Sequence, residues 1–258
     1  MERIPIRTRH FLTLFLGLCI AFSACIRPAQ DPETGPSPGN GESGKPGSRG
    51  GEEDNQPKPY AEVITEDAVT DSGMVHVHRI DEKVLFEIPH DLLDREILLV
   101  TRTARVPTGF GYGGSKLNTQ TLRWEKNGTD DERIFLRVVT YENVADDSLP
   151  VFQAVRNANF ETILHAFDVE AYNEDTTSVV IDATSLFTTD IPMLGLRQSF
   201  RDQYRIRSLD SNRTYIESVK SFPRNVEVRH ILTYSAQRPP RNTTTTAISI
   251  EMNQSMIL

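Results

Sequence analysis

Gly109, Gly111 and Gly114 fall in the G-x-G-x-x-G spacing behind a strand-like run. That spacing lets backbone N–H groups wrap a dinucleotide pyrophosphate, provided a helix opens directly after the loop to seat the phosphate on its N-terminal amides. Leu117 to Trp124 follow instead, with strand alternation, and Lys116 after Ser115 has the wrong order for a Walker loop. The stretch therefore reads as a glycine-rich connection in which Phe110 and Tyr112 are packed or displayed. Phe110, Tyr112 and Lys116 form the candidate binding loop of a groove.

Among the six histidines, His76 and His78 share one face of a strand and could offer two imidazoles to a metal. No third ligand stands at a fixed spacing, so a solvated strand face is expected. His165 and His230 each fall in register with apolar neighbours and are expected as inward histidines satisfied by a carbonyl or a carboxylate. A hydrolytic site built from them would need one of Asp146, Asp147, Asp168, Asp182 or Asp190 to converge with them in space. The default role of such aspartates is in loops and turn caps. The chain has no H-E-x-x-H and no G-x-S-x-G. No catalytic and no metal-binding residue is therefore nominated, and no cofactor is expected in this chain. Arg123, Arg133 and Arg137 with Glu125 and Glu132 read as charged decoration of paired strands.

The chain has two cysteines. Arg3, Arg7 and Arg9 precede an apolar run from Phe11 to Phe22, the charged and apolar regions of a secretory signal too short to span a membrane comfortably. It ends in Phe22-Ser23-Ala24-Cys25, which resembles a bacterial lipobox, with Phe22 where Leu is usual. Cys19 would be discarded with residues 1–24, and Cys25 would carry the lipid. The mature domain then has no thiol, which excludes disulfides, a thiolate nucleophile and a cysteine zinc site. Ile26 in place of Asp after the cysteine points to the outer membrane, so the expected location is the cell envelope, with the membrane as partner through the lipid. The sequons at Asn127, Asn212, Asn242 and Asn253 matter only in a glycosylating host.

Seven of the 15 glycines and seven of the 15 prolines lie between Ile26 and Tyr60. Residues 25–59 are accordingly read as a disordered tether reaching about 30 Å. The net charge of −8 becomes −10 once the three arginines and one glutamate of the leader are gone. So acidic a chain, with no basic stripe, is not a nucleic-acid binder.

These residues must be positioned by elements that are mostly strands. Val75 to Ile80 and Val84 to Ile88 alternate around Asp81-Glu82-Lys83 as a hairpin, with Leu85 and Glu87 facing away from Val84, Phe86 and Ile88. A helical turn is expected at Pro89 to Leu93 and a buried strand at Ile97 to Val106. Asn127-Gly128 turns Thr119–Trp124 into Ile134–Tyr141. Ser148 is expected to cap a short helix with Pro150 in its first turn. Further strands are expected at Phe160 to Tyr172, Ser178 to Ala183, Tyr204 to Leu209, Tyr215 to Ser221, Val226 to Tyr234 and Ala247 to Leu258, with Leu186 to Gln203 irregular to helical. The fold class is α+β, dominated by antiparallel sheet with a few short helices. A short β module is expected at 60–107 and a larger α+β module at 108–258. The last strand is expected as an open apolar edge, as if the chain were the front of something longer.

Gly109-Phe110-Gly111-Tyr112-Gly113-Gly114, Leu122-Arg123-Trp124-Glu125, Tyr141 to Pro150, Asp182 to Asp190, Phe222 to His230 and Met252-Asn253-Gln254-Ser255-Met256 carry a longer resemblance. Together they resemble the N-terminal region of bacterial zinc-dependent, metzincin-like metalloprotease lipoproteins, over about Gly73 to Leu258. The resemblance implies two modules upstream of a peptidase domain, with zinc bound only in that domain, and no zinc or catalytic residue carries over to this chain. It implies a non-catalytic accessory or scaffold region, inactive alone, with the downstream peptidase domain as partner and a polypeptide as substrate. The alternative is a surface module that binds a polypeptide or glycan through the Phe110/Tyr112 loop without linked enzyme activity.

Overall fold

Period-two alternation around Asp81 folds β2 (His76–Ile80) against β3 (Lys83–Pro89), pairing Ile80 with Lys83 and His76 with Glu87. Asp81 takes φ 51°, the left-handed geometry of a tight hairpin turn that Asp tolerates better than most residues. Outside β2 lies β1 (Val69–Ser72); after β3 come β4 (Glu96–Arg105), β5 (Lys116–Asn127) and β6 (Asp130–Val139). The helix α2 (Phe152–Ala158) precedes β7 (Ile163–Tyr172) and β8 (Ser178–Asp182). Then follow α3 (Thr184–Thr188), α4 (Gln198–Tyr204), β9 (Ile206–Leu209), β10 (Tyr215–Phe222), β11 (Asn225–Ala236) and β12 (Ala247–Ile257). One turn, α1 (Tyr60–Val63), precedes them all. This computed structural model describes residues 56–128, 130–241 and 245–258, with backbone alone at 130–131. The leader, Cys25, the tether up to residue 55 and the sequon at Asn242 lie outside the described residues.

The strands form a twelve-stranded sheet in the order β1-β2-β3-β8-β7-β6-β5-β4-β12-β11-β10, with β9 pairing on β11. The described pairings are antiparallel. The fold is thus dominated by antiparallel sheet with short helices, and the sheet curls into a half-barrel. Its two ends meet. Arg79 donates to the carbonyls of Ile216 and Glu217, Met74 N–H to Phe222 O, and Ser221 N–H to the Asp71 carboxylate. Gly73 makes this approach feasible, since a Cβ there would stand 2.6 Å from the backbone N and O of Phe222.

The main core lies inside the curl, where Phe86, Ile88, Leu99, Trp124, Leu136, Ile181 and Val228 are almost wholly buried. Each such side chain contributes about 1.5–3 kcal/mol by leaving water. Phe187 on α3 closes it, its ring 6.0 Å from Phe86 and 5.7 Å from His230. A second cluster gathers Phe110, Leu196, Tyr204, Leu232, Tyr234 and Met252. A third, of Leu85, Ala171 and Val180, lies under Tyr60 and Val63 of α1. In β3 both faces are therefore covered, one by the main core and one by α1.

Several expectations change. The C-terminal strand is not an open edge: β12 pairs with β11 along Asn225–Ser235 and with β4 along Leu98–Arg105. The division into 60–107 and 108–258 is not altered by this: both segments contribute strands to one sheet, with β3 pairing with β8 and β4 with both β5 and β12. Ser148 does not cap α2. Its N–H and hydroxyl are taken by Asp146 and the helix starts after Val151. Tyr204 ends α4, and Arg205 at φ 49° makes the left-handed break before β9.

Candidate functional site

The candidate binding loop is divided by its own backbone. Gly109, Gly111 and Gly114 take φ of 87°, 138° and 84°, and Gly114 N–H closes onto Thr103 O, so the glycine spacing serves the turn between β4 and β5. Phe110 points inward and stacks between Phe200 (4.9 Å) and Tyr204 (5.1 Å). Tyr112 is 87% exposed, and Lys116 at the start of β5 is exposed as well. The two aromatics therefore form no common surface.

The face bearing His76 and His78 is not solvated at His78, which is buried because α1 covers it. His78 Nε2 lies 3.0 Å from Glu87 Oε2, and its Nδ1 lies 2.8 Å from the Thr70 hydroxyl. Tyr60 donates its hydroxyl to Glu87 Oε2 at 2.9 Å, and Ser178 donates to Oε1. A serine, a histidine and a carboxylate thus meet, but in the wrong order for nucleophilic catalysis, where the imidazole stands between the other two. Here the carboxylate is central. The His78 hydrogen bond, helped by Ser178 and Tyr60, holds Glu87 down at about 2, which makes it a poor base. Burial and then the Glu87 contact push Tyr60 up to about 12.

His165 and His230 both attach to α3, at different residues. His165 Nε2 lies 2.9 Å from Ser185 Oγ, and His230 Nδ1–H donates to Phe187 O at 2.7 Å. His230 Nε2 accepts from Gln254 Nε2 at 3.0 Å; Gln254 also donates to Leu194 O and accepts from Thr101 at 2.6 Å. Burial pulls His230 down to about 4, so it stays neutral with both nitrogens satisfied. The aspartates cap or pair locally: Asp182 accepts from Thr184 N, Asp168 pairs with Arg133 at 3.3 Å, and Asp190 pairs with Arg201. Among the described residues, no three His, Cys, Asp or Glu side chains are placed to hold a metal. In both buried histidines each ring nitrogen already has a hydrogen-bond partner, Glu87 and Thr70 at His78 and Phe187 and Gln254 at His230.

What sequence reasoning missed stands beside β6. From the end of β6 to the first residue of β7 the chain makes an excursion over residues 141–163 whose helix α2 buries no residue. Of twelve large hydrophobics left exposed among the described residues, six lie here: Tyr141, Val144, Leu149, Val151, Phe160 and, at the start of β7, Ile163. The arginines expected as sheet decoration pin the excursion to the sheet. Arg123 pairs with Glu161, Arg137 pairs with Glu125 at 2.7 Å and donates to Glu161 O at 3.0 Å. The Arg137 guanidinium also lies 5.2 Å above the Phe160 ring, which is 77% exposed. Between sheet and excursion runs a groove of 440 Å³ walled by Arg123, Arg137, Val144, Phe152, Val155 and Phe160.

The sequence model of one family, described as Domain of unknown function (DUF5117), matches residues 114–258. The chain belongs to that family. A second, Domain of unknown function (DUF5118), matches residues 57–106. No curated protein and no solved structure matches the chain. The excursion and its groove lie wholly within the DUF5117 match. The Glu87 network joins the two matches, since Tyr60, His78 and Glu87 come from the first and Ser178 from the second.

Proposed function

We propose that this DUF5117 chain is an α+β accessory region of a membrane-anchored, extracytoplasmic zinc-dependent metalloprotease, itself non-catalytic. In this reading Cys25 is lipidated, residues 25–59 tether the body at the outer membrane, and the excursion 141–163 packs on the peptidase domain that binds zinc. The observation that carries it is that, among the described residues, half of the exposed large hydrophobics gather on one excursion whose helix buries nothing. Apolar surface collected in one place, braced by ion pairs beneath it, is the anatomy of a protein-docking face. The resemblance of Tyr141 to Pro150 to the protease family supports the choice of partner. With Phe110 buried, the Phe110/Tyr112 loop offers the rival binding-module reading a single exposed ring, Tyr112, rather than a paired aromatic surface.

The test is to purify the chain without its leader, measure zinc content and casein hydrolysis, and then follow hydrogen exchange on adding the zinc peptidase domain. Protection at 141–163 with neither zinc nor turnover in the chain alone is expected. Stoichiometric tight zinc, turnover, or unchanged exchange in the excursion would overturn the proposal.

A further inference from the structure

On the outer face of the sheet, away from the excursion, a concavity of 670 Å³ opens between the end of β4, the turn at 211–213 and strands β10, β11 and β12. Antiparallel register places its walls on one face: Tyr215 opposite Ile231, Ile231 opposite Glu251, Thr233 opposite Ser249, and Arg105 opposite Glu251. The size suits a small ligand.

Glu251 forms the floor, its side chain only 2% exposed. Its Oε2 accepts from Arg105 Nε. Its Oε1 has no hydrogen-bond donor among the described residues, and Arg229 Nη1 stands off at 3.6 Å. A buried carboxylate oxygen short of a donor is costly, and a hydroxyl arriving there would relieve that cost. Arg105, 69% exposed and paired with both Glu251 and Glu217, stands at the rim beside this carboxylate.

Charge then selects the class of ligand. Arg105 pairs with Glu251 and Glu217, and Arg213 pairs with Asp210 at 2.7 Å, so an anion finds no uncommitted guanidinium in the lining. A cation would face both arginines. A neutral, hydroxyl-rich ligand meets complementary groups: the Glu251 acceptor, the Asn212 amide, and the Tyr215 ring, 55% exposed, beside Ile231 and Pro107 to receive a C–H face.

We propose that this concavity binds a neutral oligosaccharide, with Tyr215 as platform and Glu251 and Asn212 as hydrogen-bonding groups. The site does not rest on the accessory-region reading and would stand if that reading fell. Calorimetric titration of the full chain with neutral cello-, xylo- and chito-trisaccharides is the test. Saturable binding of at least one is expected, weakened by about tenfold or more in Tyr215→Ala and Asn212→Ala, and also in Glu251→Gln. Phe160→Ser, in the other groove, should bind as the parent does. Because Glu251→Gln can unfold the sheet, the two exposed variants decide. No saturable binding of any trisaccharide, parent-like binding by Tyr215→Ala, or occupation of this site by casein peptides while saccharides fail would overturn the proposal.

Discussion

His78 Nε2 stands 3.0 Å from Glu87 Oε2 across adjacent strands of one hairpin, both side chains sealed beneath α1. The pair belongs to the architecture: it ties Tyr60 of α1 to the sheet and, through Ser178, β3 to β8. Removing one partner of a buried pair strands the other, so Glu87→Ala should lower unfolding free energy by about 3–5 kcal/mol. Urea unfolding at neutral pH checks this, and a loss below about 1 kcal/mol would show the pair to be dispensable.

The same carboxylate sets an acid limit. Its folded value of about 2 lies below the ordinary 4.5, so the unfolded chain binds more protons between them. The stability Glu87 supplies is complete above 4.5 and is lost as pH falls towards 2. Thermal midpoints over that window should drop more steeply in the parent than in Glu87→Gln.

A separate window belongs to the histidines. His230 falls from 6.5 to about 4 through burial, and His165 and His90 are lowered for the same first reason. Unfolded histidine takes up protons first as pH drops below 6.5, so stability declines from there towards 4, a range that meets that of Glu87 only below 4.5. A His230→Gln variant should show a shallower decline between pH 6.5 and 4.5. An unchanged slope would mean that His230 is not held neutral in the fold.

Phe110 and Tyr112 should differ sharply despite their spacing. Phe110→Ala empties a stacked site against Phe200 and Tyr204 and should cost about 3–5 kcal/mol. Tyr112→Ala removes an exposed ring and should stay within about 0.5 kcal/mol. Chemical denaturation of both variants decides whether the loop is an anchor or a display.

The meeting of the sheet's ends can be probed at Gly73. Ala there drives a Cβ into the Phe222 backbone, which cannot yield as a side-chain tip would. A loss of about 1–3 kcal/mol is expected, with faster hydrogen exchange at Met74 N–H, whose acceptor is Phe222 O.

How far these features were legible follows from what each depends on. The β2–β3 hairpin could be read because alternation and a short polar turn are local; that Glu87 stands opposite His76 is given by the register of the fold. An isolated carboxylate within Val84-Leu85-Phe86-Glu87-Ile88 was the signal for the buried pair. The cover that buries it, α1, comes from a segment with no apolar period to announce it. Phe110 and Tyr112 could not be told apart because the choice is made by α4, some ninety residues later. β12 looked like an exposed edge because nothing within Ile248 to Met256 reveals that β4, 150 residues earlier in the chain, lies beside it. The excursion escaped notice because its arginines read as ordinary strand decoration until Glu161 and Phe160 were placed against them.

The strand order carries a consequence for biogenesis. β4 lies between β5 and β12, so its pairing is incomplete until β12, about 150 residues further along, has been made. Thr101, for example, waits for Gln254. Closing so long a loop early is entropically unfavourable, and half-made sheets expose unpaired edges. Assembly should therefore be late and all at once rather than proceeding strand by strand from the N-terminal side.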